Sequence, residues 1–190
     1  MNYKELIKRA LLLISSPAKA WEEIALEEDR RKVLGAFVYP MIGLCGFSLF
    51  LGSIFETGFG ALGFQIAMTK CCSVFVALFG GYFLTSYIIN KMGTSMFKLE
   101  NNLALLQQFV GYSMVVTFLL DIIDGIVPGF FILRWILQFY VIFVVWEGVR
   151  ILLKVEEQKQ MAYTVMASFF IVLCPVLLGL VFNKLSFILN

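Results

Sequence analysis

The chain has 190 residues, of which 61% are hydrophobic and only 15% are charged, with a formal net charge of +2. Soluble domains are nearer half apolar and a quarter charged, so this composition excludes an ordinary soluble domain and indicates an integral membrane protein. The sequence contains no histidine, which removes the usual protein ligand of catalytic zinc and the commonest general base.

The first 32 residues are predicted to form short helices at the membrane surface. Apolar side chains recur with helical spacing at Tyr3, Leu6, Ile7, Ala10, Leu11 and Ile14. The stripe is cationic as well as apolar, which suits a membrane surface, but it could equally pack on the protein's own helices. Ser16 and Pro17 have the N-cap and N1 pattern of a second helix, in which Trp21 and Ile24 form an apolar side. The acids around them are expected to form a solvated face.

Five hydrophobic segments follow, at residues 33–55, 64–90, 104–127, 130–152 and 161–182. Each reaches the roughly 20 residues with which a helix crosses about 30 Å of hydrocarbon. The sequence therefore predicts an all-α polytopic membrane protein with five transmembrane helices and an N-terminal amphipathic interfacial helical segment. We divide the chain into N-terminal interfacial helices at 1–32 and a transmembrane domain at 33–190.

The basic residues predict the orientation of the five spans. Of the 15 Lys and Arg, only Lys70, Arg134 and Lys184 lie outside the N-terminal region and the loops after the second and fourth spans, which leaves 12 on one side. By the positive-inside rule, the N-terminus is expected in the cytoplasm and the C-terminus on the opposite side. A longer inner loop carries Asn101 and Asn102, which could cap the third span.

Three short motifs match known patterns, but none of them predicts an enzyme. "GFGALG" at 58–63 matches the dinucleotide-binding fingerprint. That motif binds a dinucleotide only when it joins a strand to a helix, and here it lies between two membrane spans. "DIIDG" at 121–125 matches the first residues of the conserved motif of the CDP-alcohol phosphotransferases. The Ala-Arg pair and the second aspartate motif that follow in those enzymes are missing from this sequence. The spacing Ala77-x-x-x-Gly81 predicts close packing of helices. We therefore expect no enzyme, no metal and no cofactor.

Charged residues near the outer ends of the spans form the candidate site. Asp121 and Asp124 share one helix face because they are three residues apart, and Arg134 lies at the same depth on the returning helix. A turn at Pro128-Gly129 is predicted to hold these two helices antiparallel, with Lys70 near the outer end of the second span. The hypothesis is a paired charge cluster that fixes the outer hairpin, with a site for a ligand headgroup as the alternative.

Three stretches resemble the Yip domain, the five-span fold of the Ypt/Rab-interacting-protein family, in its bacterial type. They are "SSPAKAWEEIALEEDRRKVLGAFVYPMIGL", "KMGTSMFKLENNLALLQQFVGYS" and "WEGVRILLKVEEQKQMAYTVMAS". The positions that carry the resemblance are Pro17, Trp21, Pro40, Gly111, Tyr112 and Gly148.

The resemblance implies a non-enzymatic membrane protein of a bacterial inner membrane that organises or scaffolds the membrane. Its expected partners are the lipid bilayer and other membrane proteins or itself, with no nucleic acid. Rab-type GTPase binding is not carried over, because the Asp-Leu-Tyr-Gly-Pro segment of eukaryotic members is missing and Val115 and Val116 stand where a proline usually follows. The alternative is a small transporter, channel or lipid-handling protein, although the apolar middle of the spans argues against a continuous aqueous path.

Overall fold

A computed structural model describes residues 3–127, 129 and 131–189, except for the side chains of residues 131, 187 and 189. Every regular element in this part of the chain is helical. The α-helices are α1 (Tyr3–Ser15), α2 (Pro17–Ala25), α3 (Tyr39–Thr57), α4 (Ala61–Met96), α5 (Leu103–Ser113), α6 (Val115–Ile126), α7 (Phe131–Gln138), α8 (Tyr140–Ile151) and α9 (Glu157–Leu189). A short π-helical segment, Leu34–Val38, leads directly into α3.

Five helical segments are long and apolar enough to cross a membrane, as predicted. They are Leu34–Thr57, Ala61–Met96, Leu103–Ile126, Ile132–Ile151 and Glu157–Ser186. The third span is the central one, because 72% of its apolar window is buried in the protein against 28 to 39% in the other four. Asn102 caps this span, since its side chain accepts a hydrogen bond of 3.0 Å from the Leu105 amide.

Three spans depart from a single straight helix. The first begins with the π-helical turn and passes into α3 just before Pro40, because a proline nitrogen cannot donate the next helical hydrogen bond. The third and fourth are each interrupted for one residue, at Met114 and Phe139, just before α6 and α8 begin. Pro40 lies within the first span, at the start of α3.

Small residues bring helix backbones together at two crossings. A methyl group added at Gly52 of α3 would overlap the carbonyl oxygen of Gly125 on α6. A methyl group added at Gly81 of α4 would lie 2.6 Å from Cγ of Pro175 on α9. The second crossing confirms the packing that the Ala77-x-x-x-Gly81 spacing predicts.

The first two helices form a hairpin that packs into the bundle. The hydroxyl of Tyr140 donates a 2.6 Å hydrogen bond to the carbonyl of Ile14, and Tyr140 lies near the middle of the fourth span. The hairpin turn therefore reaches mid-span, which differs from a segment lying wholly in the headgroup plane. Its apolar stripe is divided: Leu6, Ala10 and Leu13 are buried, whereas Tyr3, Ile7 and Leu11 are exposed. The buried face confirms that the stripe packs on the protein's own helices, whereas contact of the exposed face with a membrane surface stays a prediction.

Candidate functional site

We call the end of the bundle at which the third span begins the inner end, and the end at which it finishes the outer end. At the outer end, Asp121, Asp124 and Arg134 form the outer cluster. Arg134 Nη2 lies 2.5 Å from Asp121 Oδ1, and its Nη1 donates to Asp124 Oδ2 at 3.2 Å. Two carboxylates thus share one guanidinium, and the predicted contact between these helices is present in the structure.

The two aspartates differ in burial. The side chain of Asp121 is only 8% exposed, that of Asp124 is 33% exposed and that of Arg134 is 27% exposed. A buried charge that loses its partner is strongly destabilising, so Asp121 depends on Arg134 more than Asp124 does. One turn deeper on α7, Gln138 Nε2 donates a 3.0 Å hydrogen bond to the hydroxyl of Thr117 and continues the polar contact between the helices.

Lys70 lies beside this cluster without belonging to its ion pairs. Its Nζ is 3.5 Å from Glu56 Oε2, and both side chains are 49% exposed. Such a pair contributes little because water solvates both charges. Pro128, which was predicted to make the turn with Gly129, lies outside the described residues. Gly129 has a φ of +86°, a backbone conformation that glycine adopts readily.

A cavity of about 290 Å³, which we call the outer cavity, opens beside the outer cluster. Its walls come from α3, α4, α6, α7 and α9, and they include Pro175 and Gly179 within α9. All four charged residues of the sequence prediction line it: Lys70, Asp121, Asp124 and Arg134. The neutral polar residues Ser73, Thr117, Gln138 and Asn183 line it as well.

At the inner end, most of the positions that carry the family resemblance come together. Trp21 of α2 is fully buried, and its Nε1 donates a 2.8 Å hydrogen bond to the carbonyl of Val144 on α8. A methyl group added at Gly148, one turn further, would lie 2.7 Å from the indole ring. The indole also packs on Phe109 at 5.7 Å between ring centroids. Only a residue without a side chain therefore leaves room for Trp21 between α8 and α5.

Gly111 and Tyr112 complete what we call the inner cluster: Trp21, Phe109, Gly111, Tyr112 and Gly148. A methyl group at Gly111 would lie 2.8 Å from a methyl of Val38 in the first span. Tyr112 meets the indole of Trp21 edge-on at 6.2 Å and packs on Phe37 at 4.8 Å between centroids. Pro17 is buried at the start of α2, and Pro40 stands apart at the start of α3.

Glu27 is the polar centre beside the inner cluster. Its carboxylate accepts hydrogen bonds from Arg9 at 3.0 Å, Gln108 at 2.9 Å and Tyr112 at 3.2 Å. Arg9 also donates to Glu23 at 3.2 Å. The expectation that the acids of this region form a solvated face is therefore wrong for Glu27, whereas Glu22 and Glu28 are exposed. Three elements, α1, the segment after α2 and α5, meet at one carboxylate.

Charged side chains also line a cavity of about 1020 Å³ at the inner end, which we call the inner cavity. Its walls are α1, the segment that joins α2 to the first span, and Tyr112 on α5. Its charged lining is mixed in sign and consists of Glu5, Arg9, Glu27, Glu28, Asp29, Arg31 and Lys32. In the described part of the chain, no three Cys, Asp or Glu side chains come together in a way that could hold a metal ion.

Sequence reasoning missed Glu27, Gln108 and Tyr140. The signal for Gln108 is its position, since it is a polar residue in the apolar run "LALLQQFVGYS" and needs a partner when buried. Glu27 carries no such signal, because it lies in a run of acids, and only the fold of the hairpin shows which of them is bound.

The comparisons with known proteins agree with this geometry. The family model of the Yip1 domain matches residues 11–180 of the chain. No curated protein and no solved structure matched it. The matched region runs from the second half of α1 into α9 and includes the whole inner cluster and the whole outer cluster.

Proposed function

The chain belongs to the Yip1-domain family, a family of membrane proteins that is not a known enzyme family, and from that premise we propose that it is a non-enzymatic membrane scaffold. It holds partner proteins, or further copies of itself, against the inner face of the membrane. The single observation that carries this proposal is the charged inner cavity, whose walls are fixed to the bundle by the inner cluster. Rab-type GTPases are not among the partners we propose.

A docking surface needs a fixed shape and accessible charges, and the inner end offers both. The hydrogen bond from Trp21 to Val144 and the contacts of Glu27 hold the hairpin and the following segment in place. Charge complementarity at an accessible surface gives specificity between partners more than raw affinity. The exposed apolar residues of α1, with Lys4 and Lys8 beside them, would hold the same platform to anionic lipids.

The orientation belongs to this proposal. We propose a bacterial inner membrane, with the N-terminus in the cytoplasm, the C-terminus on the opposite side, and residues 1–32 as interfacial helices on the cytoplasmic side. Reporter fusions after Lys98 and Lys159 are expected to read cytoplasmic, and a fusion after Asn190 is expected to read external. A cytoplasmic signal after Asn190 would contradict the orientation.

The test is photo-crosslinking in native membranes followed by identification of captured proteins. Glu5 and Glu28 line the inner cavity and are exposed. The double change Glu5→Lys and Glu28→Lys is expected to abolish capture of the partners of the unchanged protein. The control is Glu22→Lys, since Glu22 is exposed on α2 but does not line the cavity. Capture of the same partners by the double variant at unchanged thermal stability would overturn the scaffold proposal.

A second function, lipid handling, is favoured by a separate observation. The outer cavity has charged groups on three of the membrane-spanning helices, and intramembrane charges mark functional sites by default. Substitutions that fill the outer cavity and leave the inner end unchanged are expected to abolish lipid handling but not protein capture. This difference separates the two proposals.

A further inference from the structure

The outer cavity has the size and the charge arrangement of a site for a small polar headgroup. Its volume of about 290 Å³ lies just below the range of roughly 300–1,000 Å³ usual for small-molecule sites. The charged residues stand on different walls: Asp121 and Asp124 on α6, Arg134 on α7 and Lys70 on α4.

One end of the cavity is negatively charged overall. Asp121 and Asp124 share a single guanidinium, so the outer cluster carries one net negative charge when both carboxylates are ionised. Oδ1 of Asp121 contacts Arg134, and the Asp121 carboxylate lines the outer cavity. The side chain of Asp121 is more than nine-tenths buried, so its carboxylate oxygens lie at the cavity with little access to open water. An oxygen in this state is a preferred acceptor for a cationic donor.

The other charged wall supplies a cation. Lys70 lines the cavity, and its described ion pair, with Glu56, is 3.5 Å long and half exposed. Because such a pair contributes little free energy, Lys70 can turn from Glu56 towards an anion inside the cavity at little cost. A simple anion would be repelled by the carboxylates, and a simple cation would leave Lys70 unused. A ligand that carries both signs fits both walls.

We propose that the outer cavity binds a phosphate-linked primary ammonium headgroup, with the ammonium on Asp121 and Asp124 and the phosphate on Lys70. A primary ammonium is favoured over a quaternary one for two reasons. It has N–H donors for the carboxylate oxygens, and the described lining contains no aromatic ring of the kind that recognises quaternary ammonium groups. This inference rests on the second proposed function, lipid handling, and names the class of lipid that the cavity binds. It does not depend on the scaffold role.

The test compares phosphatidylethanolamine with phosphatidylcholine of the same acyl chains, measured as lipid retained by the purified protein in native mass spectrometry. The unchanged protein is expected to retain phosphatidylethanolamine about tenfold better, the ratio that corresponds to 1.4 kcal/mol. Asp124→Asn is expected to bring the ratio close to one, because it removes the negative charge and one carboxylate oxygen, and it places an amide N–H2 donor beside the ammonium. Arg134 remains held by Asp121 at 2.5 Å in this variant, so the fold is retained.

Two further variants separate the ammonium from the phosphate. Lys70→Gln is expected to lower retention of both lipids by a similar factor, since both carry the phosphate. Glu56→Gln is the matched control: Glu56 does not line the cavity, and its removal frees Lys70, so retention is expected to stay equal or to rise. An unchanged protein without preference for phosphatidylethanolamine, or a preference that persists in Asp124→Asn, would overturn the proposal.

Free glycerophosphoethanolamine distinguishes the two sources of this headgroup. If millimolar glycerophosphoethanolamine displaces the retained lipid, the headgroup alone occupies the site and a soluble ligand is possible in the cell. If it does not, the site takes the headgroup only as part of a lipid. Either result supports the assigned chemistry, and neither affects the capture of partner proteins at the inner end.

Discussion

The inner and outer clusters both hold polar groups among apolar helices, but their surroundings differ. In the inner cluster, rings and backbone fill the space, and a single methyl group at Gly148 would collide with Trp21. In the outer cluster, three charged groups border a cavity, and the largely buried carboxylate of Asp121 is part of its lining. The comparison teaches that close packing marks the region that builds the fold, whereas charges beside a cavity mark the region that can bind.

The largest expected effect is at the centre of the inner cluster. Trp21→Ala removes a fully buried ring and its hydrogen bond to Val144, so the free energy of unfolding is expected to fall by about 3–5 kcal/mol. Thermal unfolding in detergent measures this loss. The control is Phe139→Ala, since Phe139 is 72% exposed and its loss should cost much less. Equal losses in the two variants would mean that the inner cluster does not hold the hairpin.

The next effect tests the ion pair of the outer cluster. Arg134→Leu is expected to lower the free energy of unfolding by about 3 kcal/mol, because it leaves the buried Asp121 without its partner. Asp121→Leu is expected to cost less, because Arg134 keeps its ion pair with Asp124. The double variant is expected to be more stable than the sum of the two losses predicts, by roughly 1–3 kcal/mol. Strictly additive losses in a double-mutant cycle would show that the two residues do not interact.

The smallest effect is expected at Lys70. Lys70→Gln removes an ion pair that is half exposed on both sides, so the free energy of unfolding should change by less than about 1 kcal/mol. Combined with Arg134→Leu, the change should be additive, since Lys70 pairs with Glu56 and not with the outer cluster. A coupling between Lys70 and Arg134 as large as that between Asp121 and Arg134 would mean that Lys70 belongs to the outer cluster. Lys70 would then have a structural role and would not be available to bind a ligand.

The five spans and the contact between Asp121, Asp124 and Arg134 could be predicted from the sequence for simple reasons. Span length follows from the thickness of hydrocarbon, and two helices joined by a short turn place residues equally distant from that turn at the same height. The path of the hairpin could not be predicted this way. The stripe of α1 is amphipathic on any surface, and only packing shows that Leu6 and Ala10 are buried while Ile7 and Leu11 are not.

The sequence also could not predict that the positions that carry the family resemblance lie close together in the fold. Trp21, Gly111 and Gly148 are far apart in the chain, and nothing in their spacing indicates that they meet. The partner of Lys70 was missed for a related reason, because several charges at the outer end offered comparable partners. The sequence pattern thus predicts the helices and the ion pairs between helices joined by a short turn. Long-range packing decides which polar side chains find hydrogen-bond partners.

The most direct test of this division of roles measures stability and lipid preference together in one variant from each cluster. Gly148→Ala is expected to lower the thermal stability, since its methyl group would lie 2.7 Å from the ring of Trp21, yet to retain the preference for phosphatidylethanolamine. Asp124→Asn is expected to keep nearly the full thermal stability and to lose that preference. Loss of the preference in proportion to the loss of stability in both variants would contradict the account.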